Sequence, residues 1–175
     1  MSHSLQVTFD ANDPARLAEF WTQALGYIVQ PPPEGFDSWD DWARSMEIPE
    51  EKWNDARAIV DPDGAGPRIF FQRVPEGKAA KNRVHLDVNA GGGHHVERIA
   101  KVDAVEAHVA ALLEAGAAFL ERFDRDHEYW VVLQDPEGRM GSDVRVHVGE
   151  SVLGGTLMYI HPAGAVADRG GKCFF

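Results

Sequence analysis

Two short stretches of the chain alternate apolar and polar side chains strictly. Leu5, Val7 and Phe9 alternate with Gln6, Thr8 and Asp10, and Val84, Leu86 and Val88 alternate with Arg83, His85 and Asp87. A period of two over a short run predicts a half-buried strand whose apolar face covers a helix. A helical pattern follows each stretch. Leu17, Phe20, Trp21 and Leu25 recur at helical spacing behind Asp13 as N-cap, with Pro14 at the first helical position and Gly26 placed to stop the helix. In the second half Val105, Val109, Leu112 and Leu113 form the apolar stripe and Gly116 the stop. There Asp103 reads as the cap, with Glu106 three residues on in capping-box position.

Each half then reaches a turn, Asp61-Pro62-Asp63-Gly64 and Asp135-Pro136-Glu137-Gly138, with Pro and Gly where a type I turn prefers them. Apolar strands flank the turns: Ala58 to Val60, Ile69 to Phe71, and Tyr129 to Leu133. Val144, Val146 and Val148 alternate with Arg145 and His147, which predicts a last strand. The shared order and spacing predict two copies of one strand–helix–strands unit, module 1 at about 4–76 and module 2 at about 82–148. One domain over 4–148 leaves an atypical C-terminal tail, 149–175, rich in glycine and without sustained periodicity. Its readings are a docking arm, an unstructured extension, or the product of a reading-frame change.

The unmatched sequence lies in two insertions, the Gly91 to His95 loop of the second half and Pro31 to Asn54 of the first. The latter holds three of the five tryptophans. Trp39, Trp42, Ala43 and Met46 fall at helical spacing behind Ser38 as a cap, and Pro49 can start a further turn bearing Trp53. One reading is an aromatic lid over a pocket. The expectation is the other, a helical pair packing its aromatics onto the sheet, because buried aromatics usually serve packing.

Composition narrows the partners. A net charge of -11 argues against nucleic acid and anionic membrane, both of which need a basic surface. The N-terminus shows no secretory signal pattern, and no apolar run approaches the ~18 residues of a membrane span. A single cysteine, Cys173, precludes an intrachain disulfide and suits a cytoplasmic location.

The candidate chemistry lies on the strand faces turned away from the helices. Gln6, Thr8 and Asp10 occupy one, and Arg83, His85 and Asp87 the other. Phe70, Gln72 and Trp130 are expected beside them. Aromatic walls with a few orienting polar groups are the usual make-up of a small-ligand site. His85 is the candidate acid or base near neutral pH, and its plainer role is a hydrogen bond to a neighbour such as Asp87. His94 and His95 read as a solvated loop rather than a metal site.

Several motifs together resemble the vicinal oxygen chelate superfamily, which includes glyoxalase I, bleomycin-resistance proteins and extradiol dioxygenases. They are Asp13 to Trp21, Pro33-Glu34-Gly35-Phe36, Phe70 to Glu76, Lys81 to Asp87 and Asp135 to Gly138, covering roughly residues 4 to 141. After Gly138 the sequence leaves the family pattern. The resemblance implies an α+β fold, two βαβββ modules forming a curled mixed sheet around a pocket, commonly in a homodimer. Metal-using members place ligands at positions matching Gln6, Phe70, His85 and Ser142. Only Gln6 and His85 suit a metal there, with Asp87 as a further donor, so no cofactor is favoured. The function expected is therefore a metal-independent small-molecule pocket protein of the glyoxalase/bleomycin-resistance type, binding or transforming an unidentified metabolite. One alternative is a lyase or dioxygenase dependent on a divalent metal (nickel, zinc, manganese or iron). Another is a non-catalytic structural dimer whose barrel is filled by Phe70 and Trp130.

Overall fold

The computed structural model describes residues 4–75, 84–92, 95–125, 128–138, 143–148 and 159–160, with the side chains of 84, 85, 143, 159 and 160 outside that description. The elements run β1 (Gln6–Ala11), α1 (Pro14–Leu25), β2 (Ile28–Val29), α2 (Trp39–Ser45), a 3-10 turn (Glu50–Lys52), β3 (Ala56–Val60), β4 (Arg68–Arg73), β5 (Val84–Asn89), α3 (Arg98–Glu114), β6 (Ala118–Arg125), β7 (Glu128–Gln134), β8 (Asp143–His147) and β9 (Tyr159–Ile160). They form two mixed sheets, β1-β4-β3-β2 and β6-β7-β8-β5-β9, which do not close into one barrel. In each module the first strand lies parallel to the last, β1 beside β4 and β5 beside β8, and the other pairs are antiparallel. This is the βαβββ plan, twice. The tail supplies β9, which pairs antiparallel with β5.

Helix α1 buries Leu17, Ala18, Phe20, Trp21 and Ala24 against Phe9, Ile59, Ile69 and Phe71 of the first sheet. Phe9 lies between two rings, 5.2 Å from Trp21 and 5.5 Å from Phe71. Gly26 ends the helix at φ 69°, the left-handed conformation that a side chain would strain. Leu5 departs from expectation. It precedes β1 and is 61% exposed, because the paired strand begins one residue later.

The start of α1 draws on three separate parts of the chain. The Asp13 carboxylate accepts the N–H of Arg16 at 3.3 Å, and the Asn54 carboxamide oxygen accepts that of Ala15 at 2.9 Å. The Glu137 carboxylate, from the turn of the second module, accepts the N–H of Asn12 at 2.8 Å and of Asp13 at 2.7 Å. Asn54 also donates to Asp13 at 2.7 Å. Pro14 has no N–H to satisfy. Every backbone donor from Asn12 to Arg16 thus has a partner, as a helix N-terminus requires.

Helix α3 buries Val105, Val109 and Leu112 against Tyr129, Val131, Leu133, Val144 and Val146, and this core is continuous with that of α1. His108 Nε2 lies 3.1 Å from the Ala24 carbonyl, where the two helices meet. The helix corrects the sequence reading at its start. It begins at Arg98, with Glu97 as N-cap and no side-chain cap bond, so Asp103 lies inside it. Glu106 makes no capping box. It accepts a bidentate pair from Arg122 at 3.0 and 2.7 Å, and the Tyr129 hydroxyl donates to it. Leu113, expected in the stripe, is 40% exposed, one position past the buried face.

Two outcomes follow from the α1 junction. Glu137→Ala is expected to lower stability by about 1–2 kcal/mol in urea unfolding, since charged acceptors of backbone N–H groups contribute on that scale. A change under about 0.5 kcal/mol, the range of neutral surface substitutions, overturns the role. The second outcome concerns pH. The Asn54 hydrogen bond holds the Asp13 carboxyl below its ordinary value of 3.8, with the Arg16 N–H and Arg73 adding to it against partial burial. A depressed folded pKa gives stability that is full above the unfolded value and lost as pH falls through the folded one. Asn54→Ala should therefore lose the part of its deficit that comes from the Asp13 bond as pH is lowered from about 5 to 2, and keep the part that comes from the Ala15 N–H. A deficit constant over that range argues against the linkage.

Candidate functional site

Strand register builds the face of the first sheet turned away from α1. Because Ile69 and Phe71 are buried under the helix, Arg68, Phe70 and Gln72 face the other way. The parallel pairing sets Gln6 beside Arg68, Thr8 beside Phe70 and Asp10 beside Gln72. On the far side of β4, Ala58 is opposite Phe70 and Ala56 opposite Gln72. Two alanines beside a phenylalanine leave room over the sheet.

The insertion fills that room only partly. Ser38 caps α2 by accepting the Asp41 N–H at 3.0 Å. Trp39 donates its indole N–H to the Gln30 carbonyl at 2.6 Å, and Trp53 donates to the Ile48 carbonyl at 2.9 Å. Trp42 meets Trp39 edge-on at 5.4 Å, and the Arg44 guanidinium lies 5.0 Å from the Trp53 ring centre. These bonds fix the rings and leave a cavity of about 290 Å3 between insertion and sheet. Its walls include Trp39, Trp42, Ile48 and Trp53, and its floor Ala56, Ala58 and Phe70. The aromatics therefore frame a space, where the sequence led us to expect that they would fill one. Val29, Asp40, Ala43, Lys52, Arg57 and Arg68 complete the lining, which among the described residues draws only on the first module.

Arg68 is the polar centre of this face. Its Nε donates to Gln30 Oε1 at 2.6 Å, its Nη1 donates to Gln6 Oε1, and its guanidinium lies 5.1 Å from the Phe70 ring centre. Gln6 donates in turn to the Thr8 hydroxyl at 3.3 Å, and Gln72 donates to Asp10 at 2.9 Å. This arrangement does not suit a metal at Gln6 and Phe70. The Gln6 oxygen already faces a cation, and Phe70 offers no donor atom. Among the described residues, no cluster of three or more His, Cys, Asp or Glu side chains is placed to hold a metal ion.

The other predicted residues lie on the second sheet. Asp87, Arg145 and Trp130 share the face turned away from α3. Asp87 and Arg145 approach to 3.6 Å, and Trp130 stacks on Phe123 with ring centres 4.6 Å apart. His85 is placed by its backbone on β5, in register with Asp143 and Tyr159. Arg83, His94 and Ser142 lie outside the described residues. The structure thus brings Gln6, Thr8, Phe70 and Gln72 together on one sheet and Asp87 and Trp130 on the other. Of these, only Phe70 lines the cavity. Sequence reasoning missed Arg57, Arg68 and Lys52. The signal within reach was alternation: Arg68 precedes Phe70 by two positions and so shares its face.

On the other side of the second sheet, Tyr129 is buried against Glu106. Burial, followed by its bond to the Glu106 carboxylate, pushes the Tyr129 hydroxyl above its ordinary value of 10.0. This network joins α3 to β6 and β7 away from the cavity.

The family described as glyoxalase-like domain matches residues 6–140. Solved structures share the fold at low identity. The oxidase ChaP-H2 is 14% identical over 89% of this chain and 99% of its own, with a TM-score of 0.52. The fosfomycin resistance protein FosX from Mesorhizobium loti is 10% identical over 87% of this chain and 96% of its own, with a TM-score of 0.51. A glyoxalase/dioxygenase from Nostoc punctiforme is 12% identical over 83% of this chain and 89% of its own, with a TM-score of 0.50. No curated protein matches the chain.

The Arg68–Gln6 bond makes a direct expectation. In protein equilibrated with nickel or zinc and then gel-filtered, Gln6→Ala should retain the same metal content as wild type. A fall in bound metal caused by that substitution would show that Gln6 is a ligand.

Proposed function

The chain belongs to the glyoxalase-like domain family of the vicinal oxygen chelate superfamily, and from that premise we propose that it is a small-molecule pocket protein whose ligand sits between the tryptophan-bearing insertion and the first sheet, held without a metal. The observation that carries this reading is the cavity of about 290 Å3. Small-ligand sites run upward from about 300 Å3 and combine apolar walls with a few placed polar groups. The rings of Trp39 and Trp53 are fixed by bonds to the Gln30 and Ile48 carbonyls, so a ligand meets walls that are already ordered.

Direct protein contacts are the means of holding that ligand. Arg68, locked by Gln6 and Gln30, supplies the orienting charge on the cavity's side of the sheet. An acid–base role for His85 is a separate part of the proposal, resting on its place on β5 two positions before Asp87. A homodimer and a cytoplasmic location complete it, supported by the family likeness and by the single cysteine. Among the described residues no helix is long and apolar enough to cross a membrane.

A metabolite library screened by thermal shift, with and without EDTA, tests the reading. A ligand at a hundred times its Kd should stabilise wild type by about 2.7 kcal/mol, equally with EDTA present. Ala58→Phe, which fills the cavity from its floor, and Trp42→Ala, which removes a wall, should each abolish the shift. Shifts that need added metal, or that survive both substitutions, would sink the proposal.

A further inference from the structure

Resting on that reading of the cavity, we infer that its ligand is a small planar aromatic compound bearing one anionic group, a carboxylate or an ionised phenol, which Arg68 receives. The chain as a whole is acidic, with 28 acidic residues against 17 basic ones. The cavity reverses this balance, with Arg57, Arg68 and Lys52 against Asp40 alone. Lys52 and Asp40 are exposed and of opposite sign. Arg57 is turned to backbone, donating to the Trp53 carbonyl at 2.8 Å and the Ala56 carbonyl at 3.3 Å. That leaves Arg68 as the charge presented on the sheet side.

Arg68 is half-buried, and among the described residues it forms no ion pair. Its two hydrogen bonds go to the neutral carboxamide oxygens of Gln6 and Gln30, which orient the guanidinium without neutralising it. A guanidinium has five N–H donors in a planar fork, so donors remain for a ligand oxygen. Charge-assisted bonds from such a fork to a carboxylate are about twice as strong as neutral ones. The same guanidinium lies over Phe70, and the walls are indole rings. A flat ring between those aromatics, with its anionic group at Arg68, uses both features. At ~30 Å3 for each water-sized group, the space suits one or two fused rings.

The test uses three probes of one shape: 2-naphthoate, neutral 2-naphthamide and cationic 2-naphthylmethylamine. Their affinities are measured by isothermal titration calorimetry. Wild type should bind the naphthoate at least about tenfold more tightly than the amide, and the amine least. Arg68→Met should erase the preference for naphthoate while leaving amide binding within about threefold. Arg68→Lys should fall between. Arg98→Met, which removes one positive charge remote from the cavity, controls for net charge and should bind like wild type. If the amide or amine binds as tightly as the naphthoate to wild type, the anionic class is overturned and the pocket stands. A preference that survives in folded Arg68→Met overturns the role of Arg68. If the naphthoate fails while the library yields only neutral or cationic ligands, the anionic class is again overturned. A blank library together with three silent probes overturns both readings.

Discussion

The Glu137 carboxylate holds the backbone N–H groups of Asn12 and Asp13, and much of the molecule is arranged around that bond. In a capping box, the residue three positions into the helix reaches back to the N-cap N–H. Here that position is Arg16, which has no acceptor to offer. The first turn of α1 also contains no acidic residue. The second module therefore supplies from outside the charge that a helix N-terminus favours. This carboxylate belongs to a turn ordered by Asp135, itself buried, whose side chain accepts the N–H groups of Glu137 and Gly138. Asn54, at the end of the insertion, closes the same junction. One helix start thus ties together both modules and the segment that covers the cavity.

That junction separates what was legible in the sequence from what was not. Asp13, Pro14 and Gly26 carry local information, and the helix between them lies where they mark it. The strand alternation of Val144 and Val146 with Arg145 likewise depends only on neighbours. Asn54 and Glu137 are 41 and 124 residues from Asp13. No local rule distinguishes them from any other polar residue. The same limit explains the misplaced start of α3. Asp103 and Glu106 satisfy the spacing of a capping box, but Glu106 is engaged by Arg122 and Tyr129, which approach it from β6 and β7. With the helix already under way at Arg98 and the Glu106 carboxylate held by these two donors, no capping box forms at Asp103.

The site was legible to a lesser degree for a related reason. Alternation put Gln6, Thr8, Phe70 and Gln72 on one face, because a strand's two faces follow from its period. It could not say what covers that face. Trp39, Trp42 and Trp53 have the same spacing whether they plug the sheet or stand off from it. The difference lies in the polar edges of the rings. Trp53 finds a carbonyl of the insertion, and Trp39 that of Gln30, just past β2 at the edge of the sheet. Their rings are anchored above the sheet, and with Ala56 and Ala58 beneath, a gap remains. Two alanines in β3, unremarkable as sequence, set the depth of the cavity.

The acidic character of the chain acts on the same site at a different range. At physiological ionic strength, exposed charges are screened beyond about 8 Å, so the net charge of -11 is felt mainly as a surface that repels large polyanions. Inside the cavity the distances are shorter and the walls apolar. There the guanidinium of Arg68 dominates, and its field is strengthened by the lower dielectric of its surroundings. Gln6 and Gln30 matter because they hold that charge in place without cancelling it. An aspartate at either position would orient the arginine equally well and neutralise it. Carboxamides in those two places keep a fixed cation facing a small aromatic-walled space, within a protein that is otherwise negative.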